Sequence, residues 1–138
     1  MKGLTIKELK IGDKAFVEKT ISETDVYLYA GITGDLNPAH INEEHAKNTF
    51  FKTRIAHGML TAGLISAVLG MKLPGCGTIY LGQELKFTAP VLIGDTVKAE
   101  VEVIEIIEEK NRIKLRTTCT NQKGDMVLDG VASVMPPK

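Results

Sequence analysis

The sequence predicts an α+β fold, an antiparallel sheet wrapped around a buried central helix, and three observations carry that reading. The run GMLTAGLISAVLGM, Gly58 to Met71, is apolar almost all the way round a helix, and a helix without a polar face has to be covered on most sides. From Gly77 onward the apolar residues recur at every second position, which is the period of a strand. Turn-forming pairs at Gly94-Asp95, Lys110-Asn111 and Lys123-Gly124 divide that region into four successive strands, expected to run antiparallel.

Taken in order, Asp13 to Ile21 (DKAFVEKTI) reads as a short strand. A helix is expected next, with Ser22 as N-cap and acidic residues in its first turn to meet the free N–H groups. Val26, Tyr29 and Ala30 share one face of it, and Gly31 or Gly34 can end it. Thr33 to Arg54 is mostly irregular, with a short helix near Glu43 to Asn48. The central helix follows, in which Gly63 and Ala67 leave room for a close neighbour, and Gly70 with Pro74-Gly75 stops it. The first strand after it places Ile79, Leu81, Leu85, Phe87 and Ala89 on one face, interrupted by Gln83. The second alternates Val97, Ala99, Val101 and Val103, then slips phase at Ile104, the mark of a bulge. The third points Ile113, Leu115, Thr117 and Cys119 inward, and the last, DMVLDGVASVM, is apolar on parts of both faces. One sheet cannot easily cover such a helix on every side, so a homodimer joined through strand edges is expected.

A chain of 138 residues, 43% hydrophobic and 25% charged, suits one domain over residues 1–138. Seventeen basic residues balance seventeen acidic ones, so the basic footprint of a nucleic-acid binder is missing. Gly58 to Met71 is short for a bilayer span, and no membrane association is expected. Cys76 and Cys119 form no C-x-x-C pair and the N-terminus has no apolar signal core, so reduced thiols in the cytoplasm are the simplest expectation.

Chemistry concentrates in TGDLNPAHINEEHA, Thr33 to Ala46, which holds two of the three histidines just upstream of the apolar helix. Asp35 and His40 are five apart around Pro38. A regular helix would turn them some 140° from one another, whereas a proline-fixed bend lets both face one point. Asp35 alone fits an Asx turn equally well. Asn37 is expected to hold the loop and to count among the substrate-binding residues, His45 to lie on a solvated face, and His57 to cap the central helix or pack near it. The His40 to His45 spacing does not suit one helical face and no H-E-x-x-H occurs, so no metal is expected. No G-x-S-x-G elbow surrounds any serine.

Three segments, YAGITGDLNPAH (Tyr29 to His40), RIAHGML (Arg54 to Leu60) and YLGQELKFTAPVLIGDTVKAEVEV (Tyr80 to Val103), resemble the MaoC-like hot-dog-fold hydratases, and among them the small single-domain (R)-specific enoyl-CoA hydratases. The G-D-x-N-P-x-H segment followed by an H-G-M helix start is the specific part. The resemblance implies cofactor-free hydration of a trans-2-enoyl-CoA to the (R)-3-hydroxyacyl-CoA, or the reverse dehydration. It assigns catalysis to Asp35 and His40, and binding of the thioester oxygen to the N–H of Gly58. By position it places Ser66 and Leu69 beside an acyl slot. Lys52, Arg54 and Lys86 are candidates for the CoA phosphates by location only.

That chemistry fits the residue types. Water must lose a proton as it attacks C3, C2 must gain one, and the enolate oxygen needs donors. Asp35 is the preferred proton acceptor, with His40 positioning the water. A helix N-terminus opened by glycine offers free N–H groups and lets a ligand approach the backbone. Two other readings stay open at the level of sequence: an acyl-CoA thioesterase on the same fold, and a non-catalytic module that binds acyl-CoA or acyl carrier.

Overall fold

A computed structural model describes residues 1–138. Five strands form one antiparallel sheet: β1 (Lys14–Thr20), β2 (Ile79–Phe87), β3 (Thr96–Ile107), β4 (Arg112–Thr120) and β5 (Met126–Met135). Their order across the sheet is β1-β3-β4-β5-β2. Three successive strands, β3 to β5, therefore make a meander, as the turn signals predict. β2 does not join it in sequence order, because it crosses to the far edge and pairs with β5. The bulge expected near Ile104 lies between Val103 and Glu105, and a second falls between Tyr80 and Gly82.

Before the sheet closes, four helices occur. α1 (Glu23–Thr33) begins at Ser22, whose hydroxyl accepts from the Asp25 N–H while the Asp25 carboxylate accepts from the Ser22 N–H. Such a reciprocal cap satisfies two donors that no helical carbonyl can reach. α1 ends at Gly34, which takes a left-handed φ of 78°, a conformation that favours glycine. α3 (Glu43–Ala46) is the short helix expected from the sequence. α2 (Pro38–Ile41) is not anticipated there, since four residues give too short a period to read.

α4 (Gly58–Met71) is the central helix. It buries Thr61, Ala62, Ile65, Val68 and Leu69, a stripe at helical spacing, against the sheet. Ile65, Val68 and Leu69 pack there with Val97, Ala99, Val101, Val103, Ile113 and Leu115 in one core cluster. The expectation of cover on most sides is not met within one chain. Met59, Gly63, Ser66, Ala67 and Met71 are all exposed, and nothing lies within 4 Å of where a Gly63 side chain would begin. The same is true of β2, whose Ile79, Tyr80, Leu81 and Phe87 are 39–53% exposed. The sequence has apolar residues where this single chain has no partner for them. No helix is long and apolar enough to cross a membrane.

Candidate active site

The functional end of the molecule is built where α1 stops. Thr33 back-bonds its hydroxyl to the Tyr29 carbonyl at 2.8 Å, and the same oxygen accepts from the Asp35 N–H at 3.1 Å. Asp35 Oδ1 then accepts from the Asn37 N–H at 3.3 Å. Asn37 caps α2 by accepting from the Ala39 N–H at 3.0 Å, and Pro38 opens that helix where its missing N–H costs nothing. Asn37 thus shapes the loop and does not line the cavity. Asp35 is in an Asx turn and at the same time presents its carboxylate, 49% exposed, to the cavity.

His40 leaves the one turn of α2 toward the segment ahead of α4. Its Nδ1 is 2.7 Å from the Ile55 carbonyl, which can only accept, so Nδ1 carries the proton of the neutral ring. Nε2 is then the ring's free lone pair. Ile55 is held on its other side as well, its N–H donating to the Ala39 carbonyl at 3.2 Å, and the next N–H, of Ala56, donates to Val91 at 2.8 Å. Arg54 anchors the same segment. Its guanidinium meets Glu23 at 2.6 Å and Glu43 at 2.9 Å, and its backbone N–H also donates to Glu43. The Glu23 contact, ahead of the others, raises the Arg54 pKa above its already high value. The Thr53 hydroxyl, followed by the Arg54 N–H, lowers that of Glu43. Arg54 is therefore a structural tie between α1, α3 and the α4 lead-in, not a free cation for a phosphate. Lys52 and Lys86 are exposed.

At the tip of α4, His57 is the N-cap residue but its side chain makes no capping bond. The N–H groups of Gly58 and Met59 consequently donate to nothing in the chain. These are the free donors of a helix start. A Cβ on Gly58 would stand 2.7 Å from the Phe87 ring, so only glycine fits without displacing that ring.

Asp35, His40, His57 and Gly58 meet in the wall of one cavity of about 510 Å³. The rest of its lining is largely apolar, with Phe50, Phe51, Met59 and Phe87 prominent. Leu69 and Ser66 are not part of it: Leu69 is 1% exposed in the core and Ser66 is on the open face of α4. His45 is exposed on α3, away from the cavity. Sequence reasoning gave no part to Phe50, Phe51, Thr61 or Phe87. An aromatic residue in a strand or loop, or a threonine on a buried helix face, carries no signal that separates lining from core.

One donor atom from each of Asp35, His40 and His57 lies within 4.8 Å of the others. The set is of the kind that binds zinc or iron. However, ligands bonded at metal distances sit about 3.3 Å apart in a tetrahedron, so the group would have to close. His40 Nδ1 and His57 Nε2 are also already engaged with carbonyl oxygens.

Residues 10–124 match the model of the MaoC like domain. The chain belongs to the MaoC-like family. It is 57% identical over 131 residues, 95% of this chain and 90% of the relative, to an (R)-specific enoyl-CoA hydratase of Rhodospirillum rubrum. It is 52% identical over 136 residues, 98% and 85% of the two chains, to a 3-hydroxybutyryl-CoA dehydratase of Methylorubrum extorquens. Among solved structures, the unliganded R-hydratase PhaJ1 of Pseudomonas aeruginosa superposes with a TM-score of 0.93 at 48% identity, covering 99% of this chain and 87% of that one. The (R)-hydratase of A. caviae involved in PHA biosynthesis gives 0.92 at 42% identity, covering 95% and 99%. The α+β hot-dog arrangement of this MaoC-like chain is the one that those hydratases share.

Proposed function

We propose that the chain is a hydro-lyase, an (R)-specific enoyl-CoA hydratase that adds water to a trans-2-enoyl-CoA and also runs the reverse dehydration of the (R)-3-hydroxyacyl-CoA. The observation that carries this is the meeting of Asp35, His40 and the unpaired N–H groups of α4 in one largely apolar cavity. The relatives named above as hydratase and dehydratase support the reaction class.

In this reading the thioester carbonyl accepts from the Gly58 N–H, where the helix dipole favours growing negative charge. The alkene then lies toward Asp35 and His40. A water donates one hydrogen to the Asp35 carboxylate and the other to His40 Nε2, the free acceptor left by the Ile55 contact. Asp35 takes the proton as the water oxygen bonds to C3. The π electrons move to the thioester oxygen, giving an enolate held by the amide. The proton taken from water returns to C2 through the pair, on the same face. One water is consumed, one C–O and one C–H bond form, and no cofactor enters. The acyl chain packs among Phe50, Phe51, Met59 and Phe87.

The working unit is a homodimer. β1 guards its sheet edge with Lys14, Glu18 and Lys19, whereas β2 leaves Ile79, Tyr80 and Leu81 open on the other. Charged edges resist pairing and apolar ones invite it. A second copy against β2 and the open face of α4 would cover Met59 and Met71 and bring Ser66 to an interface. Two free cysteines fit a reducing compartment such as the cytoplasm.

The test is incubation with crotonyl-CoA in the presence of 5,5′-dithiobis(2-nitrobenzoate), with light scattering on the same sample. Loss of enoyl absorbance without thiol release, an (R) product and a mass of two chains are expected. Thiol release would make it a thioesterase, and tight binding without turnover a carrier-binding module.

A further inference from the structure

The most buried titratable group in the cavity wall is His57, at 2% exposure, and the mechanism above gives it nothing to do. It nevertheless touches three parts of the site. Nε2 is 3.0 Å from the Asp35 carbonyl oxygen, so Nε2–H donates there. The ring stacks on His40, with centroids 3.8 Å apart and planes inclined by 29°. The residue itself is the N-cap of α4, so the amide that follows it is that of Gly58. Tyr29 closes the other side of the ring at 4.7 Å.

The loop needs such a tie. Every residue from Gly31 to Pro38 is exposed, so packing does not fix the place of Asp35. Apart from local turns, the His57 bond is what joins the Asp35 backbone to the body of the protein. The imidazole is also not the filler that stability alone would choose. With Nε2–H committed to a carbonyl, Nδ1 is a buried acceptor with no partner, and buried polar atoms are nearly always bonded. An apolar ring would fill the space without that defect.

We propose that His57 is a positioning residue: its Nε2–H holds the Asp35 loop and its ring face sets the plane of His40, so that carboxylate, imidazole and the Gly58 amide keep one mutual geometry. The proposal rests on the hydration reading above. His57 does not itself pass a proton to substrate, since its ring N–H is spent on a carbonyl.

Two variants separate the links. His57→Gln keeps a side-chain N–H able to reach the carbonyl and removes the ring, whereas His57→Phe keeps a ring to stack and removes the donor. Both are assayed with crotonyl-CoA, melted, and studied through the ring ¹⁵N spectrum of His40, readable because the chain has three histidines. Both are expected to melt within a few degrees of wild type, with kcat lowered about 10²-fold and KM little changed, the size expected when a reacting group is misplaced by about 1 Å. His40 should show one tautomer, protonated at Nδ1, in wild type and His57→Phe, and a mixture in His57→Gln. Wild-type kcat in both variants, a change confined to KM, or unfolding of both would overturn the proposal and make His57 a core residue. A wild type that hydrates no enoyl-CoA overturns the functional reading instead, and the His40 spectrum then decides about His57 by itself.

Discussion

The meander of β3, β4 and β5 and the segment from Gly34 to Gly58 are made on opposite terms. In the meander, Val97, Ala99, Val101, Val103, Ile113, Leu115 and Cys119 are all fully buried. Its one inward polar group, Thr117, accepts from Gln83 at 2.9 Å. Burial there pushes the Cys119 thiol up to about 12, which leaves it inert. The segment, by contrast, keeps a half-exposed carboxylate, a buried imidazole nitrogen with no partner and, at its end, the Gly58 amide that donates to nothing. The unpartnered imidazole nitrogen costs stability where it stands, of order 1–3 kcal/mol for a buried polar atom left unbonded. The difference teaches that the sheet supplies the stability and the segment spends some of it on groups kept free for a ligand.

The largest expected effects follow from that division. Asp35→Asn and His40→Ala should each lower kcat/KM for crotonyl-CoA hydration by ~10²–10⁴-fold, the usual contribution of a positioned acid or base. Their melting temperatures should remain near wild type, because neither residue is part of the core cluster. Leu115→Ala should do the reverse, lowering stability by ~2–5 kcal/mol while leaving kcat per folded molecule intact. Denaturant melts run beside steady-state assays would show this. Activity and stability falling together in all three variants would break the comparison.

Gly58 ends the segment and opens the core helix, so it serves both packing and the site. Gly58→Ala should lower kcat by ~10²–10³-fold, the loss seen when one oxyanion donor is removed. Two causes are possible in principle, and the Phe87 ring, 2.7 Å from the new Cβ, distinguishes them. In Gly58→Ala with Phe87→Ala the steric conflict is gone. If the methyl acts by blocking the thioester oxygen, kcat stays low in that double variant. Recovery of kcat would show instead that Gly58 serves only to admit the ring.

Much of this was legible in the residues, for reasons that differ between the two regions. Strand period two over Val97 to Val103 and over Ile113 to Cys119 needs only local chemistry, and both inward faces are where it places them. Ser22 and Gly34 likewise act through their own backbone, and they bound α1 as caps do. The place of β2 was not legible, since pairing with β5 is decided by chain crossing and not by its own sequence. Nor was the half-open state of α4, because an apolar helix reads the same whether its own chain or a second copy covers it. At the site, Asp35, His40 and Gly58 stood out by motif, and they do line one cavity. Ser66 and Leu69 were assigned by resemblance alone and lie outside it in the single chain. His57 packs at the head of α4 as expected, but its stack on His40 and its bond to the Asp35 carbonyl are contacts across 17 and 22 positions, which no spacing rule reaches.

The smallest expected effect lies at the start of α1, where stability and the site can be separated by pH. The Ser22 N–H, and after it Lys19 at 2.9 Å, hold the Asp25 carboxyl below the usual carboxylate range. In the unfolded chain both partners are lost, so the folded pKa is the lower of the two. The ionised form therefore stabilises the fold in full above the ordinary carboxylate value of about 3.9. That contribution fades as the pH falls through the folded value. Asp25→Asn should lower the melting temperature at pH 7 by on the order of a few degrees. The gap to wild type should shrink as the pH falls below about 4, as the carboxyl takes up its proton first in the unfolded chain and then in the folded one. Since α1 leads into the Asp35 loop through Gly34, kcat measured at pH 7 on the folded variant is the sharper readout. An unchanged kcat would mean that a weakened cap twelve residues before Gly34 leaves the site geometry alone. A lowered kcat would mean that the site borrows rigidity from the α1 cap, and the line between the two regions would then have to be drawn further toward the N-terminus.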